Sequence, residues 1–169
     1  MGIKISRKIT CSENKMSIFI FRMEPFNIRS ITWNVAALDK PENFSFQQLL
    51  ELNNSEHTQY DMYTIGFQEV SARADKYFFD SFISGDDPWT TTVSNELRPH
   101  GFIKVKSIRL LGIVLNVYCH ERHLVYLRNI ETQYTRLSVG GYIGLKGAVS
   151  VRLEIYGVSL CFVCRYVYI

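Results

Sequence analysis

Trp33-Asn34 and Gln68-Glu69 each close an apolar, β-prone run and stand just before a segment of turn or helical character. If the two runs are neighbouring strands, the amide of Asn34 and the carboxylate of Glu69 converge at one sheet edge. There they would offer oxygen ligands of the hard type that Mg²⁺ prefers. The competing reading of the same residues is that Asn34 caps a turn and Glu69 starts a helix. A second constellation comprises Thr135-Arg136 and the run Gly140-Gly141-Tyr142-Ile143-Gly144-Leu145-Lys146-Gly147. Four glycines in eight residues let the backbone approach a ligand, and Arg136 and Lys146 add positive charge suited to phosphate. The run is not a P-loop, because Gly144 is followed by Leu-Lys-Gly and then by a strand-like segment instead of Gly-Lys-Ser/Thr and a helix. A plain hairpin with several positive-φ positions is the alternative.

The elements that must position these residues follow from periodicity. Ile28 to Val35 alternates with β-branched and aromatic residues and predicts a strand ending at Asn34. Phe46, Leu49, Leu50 and Leu52 recur at helical spacing behind Ser45, a candidate N-cap. Asp61 to Phe67 is almost continuously apolar and predicts a central strand covered on both faces. Helical segments are expected at about Ala74 to Phe82 and Trp89 to Leu97, separated by Gly85-Asp86-Asp87-Pro88. Phe102 to Arg109, Gly112 to Cys119, Leu127 to Thr135, Lys146 to Ile155 and Val158 to Val163 read as strands, with Tyr156-Gly157 as the clearest hairpin turn. Strand, helix, strand, helix and then consecutive strands predict an α/β protein with mixed sheets and helices on outer faces.

Composition bounds the possibilities further. The chain has 169 residues, 47% hydrophobic and 14% aromatic, which suits one globular domain or part of a larger one and excludes a disordered or collagen-like chain. No apolar run reaches the roughly 18 to 20 residues of a membrane span, and no secretory signal is recognisable. The net charge of +3 is too mild for a nucleic-acid binder, so no nucleic-acid partner is expected. Between positions 98 and 136, however, Arg98, Lys104, Lys106, Arg109, Arg122, Arg128 and Arg136 face only Glu121 and Glu131 in the sequence, a balance that favours a polyanion such as phosphate over a neutral partner. Cys11, Cys119, Cys161 and Cys164 form no disulfide framework, and C-F-V-C has no second pair to complete a zinc site. The economical expectation is a reduced, intracellular, cytoplasmic protein. Met1-Gly2 with Ser6 fits a myristoylation pattern beside Lys4, Arg7 and Lys8, which would allow peripheral membrane contact.

Taken in series, Ile31-Thr32-Trp33-Asn34-Val35-Ala36, Asp61 to Val70 with Gly66-Phe67-Gln68-Glu69, Gly101-Phe102-Ile103-Lys104-Val105, Arg109 to Ile113, and Thr135-Arg136 with Gly141 to Val149 resemble the inositol polyphosphate 5-phosphatases. The resemblance covers about Pro25 to Val163. It implies the endonuclease/exonuclease/phosphatase fold, a four-layered α/β sandwich. It also implies Mg²⁺-dependent hydrolysis of the 5-phosphate of phosphoinositides or soluble inositol phosphates. By position, Glu69 matches the metal-ligand glutamate of G-F-Q-E and Asn34 the active-site asparagine of W-N-V. Arg136 and Lys146 fall in motifs near the phosphate-binding side.

The departures shape the expectation for this chain. Leu145 stands where the family's G-N-K-G has Asn. After Val163 the family continues with N-x-H-L and later with G-D-x-N and S-D-H, whereas this sequence reads Cys164-Arg165-Tyr166-Val167-Tyr168-Ile169. The expected organisation is a leader over 1–22, the N-terminal part of a catalytic domain over 23–163, and a tail outside the family pattern over 164–169. Without the general base and the histidine motifs the chain is expected to be truncated and inactive alone. The alternative is a catalytically dead isoform that binds phosphoinositide or protein.

Overall fold

The computed structural model describes residues 25–52, 60–70, 87–139 and 142–166, without side chains at 137–139 and 142–146, and the backbone of strands β1 (Ile5–Thr10) and β2 (Ile18–Met23). These two pair antiparallel, Ile5 opposite Met23. β3 (Ile28–Asn34) and β4 (Met62–Gln68) are parallel neighbours in register from Ile28↔Met62 to Asn34↔Gln68. β6 (Ile113–His120) runs antiparallel to β4, and β5 (Phe102–Leu110) pairs with its far side, giving the order β3-β4-β6-β5. β4 is therefore interior, and its residues Met62 to Phe67 are all buried. A second sheet of β7 (Leu127–Val139), β8 (Tyr142–Ile155) and β9 (Val158–Tyr166) is wholly antiparallel.

Alternation along β4 and β6 sorts the core into two halves. Tyr63, Ile65, Phe67, Val114 and Tyr118 face one way, packing with Leu50, Trp89, Val93 and Leu97. Met62, Ile113, Leu115, Val117 and Cys119 face the other way, against Val149, Val151, Leu153 and Ile155 of β8. The described residues thus stack helix on mixed sheet on antiparallel sheet, the α/β layering expected from the element order.

The helical layer differs in extent from the periodicity. α1 covers only Gln47–Leu50, with Phe46 at its N-cap, because Glu51 turns into the left-handed region at φ 54° and closes the helix after one turn. α2 (Pro88–Leu97) forms as expected: Asp87 accepts from the N–H groups of Trp89 and Thr90, and Pro88 occupies the first turn, where its missing N–H costs nothing. The expected helix at 74–82 lies outside the described residues.

The two sheets approach closely at Gly66. A Cβ built there would stand 2.8 Å from Cys164 Sγ and 3.3 Å from its Cβ, so the glycine makes room for the thiol of β9. Cys161, an odd number of positions away on the same strand, is exposed while Cys164 is buried, so the pair lies on opposite faces and does not form a redox couple. Gly66→Ala is expected to destabilise the chain by about 1 to 3 kcal/mol through overpacking. A urea titration checks the value, and the double variant with Cys164→Ala should recover part of the loss.

Candidate functional site

The parallel register of β3 and β4 brings Asn34 and Glu69 together. Asn34 ends β3, and Glu69 follows Gln68, the partner of Asn34 across the ladder. Asn34 Nδ2 donates to Glu69 Oε1 at 2.7 Å, while Asn34 Oδ1 accepts from the Ala36 N–H at 2.8 Å. The amide is thereby oriented, with its N–H side toward the carboxylate. Glu69 has φ 54°, an uncommon backbone state for a residue with a Cβ. Its carbonyl accepts from Ala37 N at 2.8 Å, and the next residue, Val70, donates to Gly112 O at 3.0 Å, so the strained bend is held on both sides. The turn-cap half of the alternative holds, since Asn34 closes a local turn with its oxygen, while its nitrogen also reaches across to Glu69. Glu69 itself, at φ 54°, is not in a helical conformation.

The second sheet also reaches this end. Gln68 Nε2 donates to the carbonyl of Arg165 in β9 at 2.7 Å, and the side chain of Tyr166, the next residue, hydrogen-bonds the Glu69 carboxylate. The Asn34 amide first, and the Tyr166 hydroxyl second, hold that carboxyl below its ordinary range. Sequence reasoning missed Tyr166 because it lies past the last matching motif. The usable signal was the alternating run from Val158, which continues through Tyr166 in the structure.

Arg136 and Lys146 are placed by the ladder of β7 and β8. Arg136 pairs with Gly147 and Leu137 with Lys146, so positions 136 and 146 fall on opposite faces. Gly147 belongs to the face toward the mixed sheet, where a Cβ would meet Leu110 Cδ2 at 2.7 Å and Thr135 O at 2.8 Å. Position 136 shares that face, and the Arg136 side chain is exposed. Part of the basic stretch serves internal bonds: Arg109 Nε donates to Leu111 O at 3.0 Å, and Arg128 Nη1 donates to the carbonyls of Val125 and Leu127. Beside Asn34 lies an apolar concavity of about 250 Å³ lined by Trp33, Val35, Leu38, Pro41, Phe44 and Trp89, with Asp39 at its margin.

The donor chemistry fits one hard cation. A carboxylate has about four acceptor positions, and two neutral donors occupy part of that capacity at Glu69. Mg²⁺ typically takes one or two carboxylates and completes its shell with water and substrate phosphate. Among the described residues no group of three or more His, Cys, Asp or Glu side chains converges on a point, so a cage made wholly of protein ligands is not built here.

A different polar cluster, absent from the sequence reading, occupies the opposite end of β4. Asp61 precedes the strand and lies about 25 Å from Glu69 along it. Its Oδ2 accepts from Asn27 N at 2.8 Å, and its Oδ1 accepts from Arg122 Nη2 and, at 2.8 Å, from His123 Nε2. His123 Nδ1 in turn meets the Tyr156 hydroxyl at 2.6 Å. Burial alone would push the Asp61 carboxyl up, but the bonds from His123, Asn27 and Arg122 outweigh it and bring it to about 2. This cluster ties the start of β4 to the turn between β8 and β9 and has the character of a clamp.

The comparisons with known proteins agree with this architecture. The model of endonuclease/exonuclease/phosphatase family 2 matches residues 31–166. Human phosphatidylinositol 4,5-bisphosphate 5-phosphatase A is 37% identical over 138 residues, which is 81% of this chain and 13% of that protein. Mouse inositol polyphosphate 5-phosphatase K is 34% identical over 131 residues, 78% of this chain and 27% of that protein. The chain therefore spans about an eighth to a quarter of the length of these relatives. Among solved structures, the inositol polyphosphate 5-phosphatase domain of SPsynaptojanin, crystallised with inositol (1,4)-bisphosphate and a calcium ion, superposes with a TM-score of 0.59 at 22% identity, covering 83% of this chain and 39% of that one. Cimex nitrophorin shares the fold at a TM-score of 0.61 and 21% identity, covering 82% of this chain and 45% of that one. No described helix is long and apolar enough to cross a membrane. With Asn34 and Glu69 at the ends of adjacent parallel strands and the family model running through both, the chain belongs to the endonuclease/exonuclease/phosphatase family and is related within it to the inositol polyphosphate 5-phosphatases.

Proposed function

We propose that this chain carries the cation- and phosphate-binding side of an inositol polyphosphate 5-phosphatase site, acting on phosphoinositides or soluble inositol phosphates in the cytoplasm or at a membrane surface. The observation that carries the reading is the Asn34–Glu69 pair, fixed by the parallel register of β3 and β4. Glu69 would hold Mg²⁺, whose chemistry when bound is to polarise a phosphoryl oxygen. Asn34 keeps the carboxylate turned to the sheet end. Arg136, on the face toward the mixed sheet, would supply positive charge to the phosphates, whereas Lys146, whose position falls on the opposite face of the ladder, would offer its charge away from that side.

Hydrolysis is a separate requirement. The 169 residues contain no counterpart of the family's G-D-x-N or S-D-H motifs, and a missing acid–base or charge-stabilising group typically costs about 10² to 10⁴ in rate. These 169 residues alone are therefore expected to be inactive, and binding is the property on which they are tested. Calorimetric titration with inositol 1,4,5-trisphosphate should show binding that needs Mg²⁺ and disappears in EDTA. Phosphate release from the same mixture should stay at the buffer rate. Binding indifferent to the cation, or no binding, would overturn the reading.

A further inference from the structure

We propose that Tyr166 is a positioning residue for Glu69. Its hydroxyl comes from β9 and the Asn34 amide from β3, so donors from both sheets fix the carboxylate that is to receive the cation. The inference rests on the reading of Glu69 as the cation ligand.

Three observations support it. The backbone around Glu69 is locked by Ala37 N, Val70 N and the left-handed bend, which leaves the side-chain torsions as the remaining freedom of the carboxylate. The end of β9 is held at this place by Gln68 Nε2 on the Arg165 carbonyl and by the ladder pair Gly147↔Tyr166. The Tyr166 side chain reaches the carboxylate from there. Both donors are neutral. An arginine or lysine in either place would orient the carboxylate equally well but cancel the charge that attracts a cation; an amide and a phenol orient it and leave the charge intact.

Outer hydrogen-bond partners of metal ligands are typically worth about 10- to 100-fold in metal affinity. Mn²⁺ binding to the full chain, followed by the electron paramagnetic resonance of the free ion, is the test. Tyr166→Phe should weaken Mn²⁺ binding about 10-fold with an unchanged urea midpoint. An affinity within twofold of the parent, or a tighter one, would overturn the proposal. Should the parent chain take up no Mn²⁺, the cation reading of Glu69 itself fails, and Tyr166 is judged on the ¹³Cζ resonance of labelled tyrosine. A shift of that resonance in Glu69→Gln supports the positioning contact, and an unmoved resonance overturns it.

Discussion

Glu69→Gln should abolish Mg²⁺-dependent binding of inositol phosphates, a loss of about 100-fold or more, while leaving the fold intact. The substitution is close to a pure test of charge. Glutamine keeps the length of the side chain and an oxygen that can still accept from Asn34 Nδ2, the donor now 2.7 Å from Oε1. What disappears is the negative charge that a hard dication requires. The pH dependence follows from the same contacts. The Asn34 amide and then the Tyr166 hydroxyl hold the carboxyl below its ordinary range. The charged form, and with it cation binding, should therefore persist at pH 5 and be lost only as pH falls through the depressed value. Calorimetry at pH 7 and pH 5 with parent and variant checks both parts. Cation-dependent binding that survives in the variant would move the cation ligand elsewhere.

Local patterning announced the elements that build the site. The alternation of Ile28 to Val35 and the apolar run of Asp61 to Phe67 identify β3 and β4, and the residues at their ends identify Asn34 and Glu69 as the pair to watch. Pairing and register are non-local, however, and no periodicity says that Asn34 stands opposite Gln68. The contact of Gln68 with Arg165 spans 97 residues of sequence, and the Tyr166 contact beside it is of the same order. Motif agreement ended before either residue, so the continuing alternation of β9 carried no weight. Arg136 and Lys146 show the converse limit. Both are charged, and ten positions separate them around a glycine-rich turn, which suggests one cradle. The ladder instead gives them opposite faces. α1 stops early because Glu51 adopts a left-handed φ, a choice made by its tertiary surroundings, with Arg29 Nη1 2.7 Å from its carboxylate.

The Asp61 cluster was invisible for the same reason, since His123 and Tyr156 lie 62 and 95 positions away, and it carries the largest expected effect on stability. Asp61 is 5% exposed and ties Asn27, Arg122 and His123 together, with Tyr156 bonded beyond His123. A carboxyl held at about 2, against an ordinary value of 3.8, corresponds to about 2 to 3 kcal/mol of folding free energy. Because the folded value is the depressed one, this contribution is complete above the ordinary value and is lost as pH falls toward 2. Asp61→Asn should therefore cost about 2 to 3 kcal/mol at pH 7. Urea unfolding of parent and variant across pH 7 to 2 isolates it, because every other carboxyl titrates in both proteins. The two stability curves should converge as pH approaches 2. A gap that stays constant with pH would mean that Asp61 stabilises the fold through hydrogen-bond geometry and not through its charge.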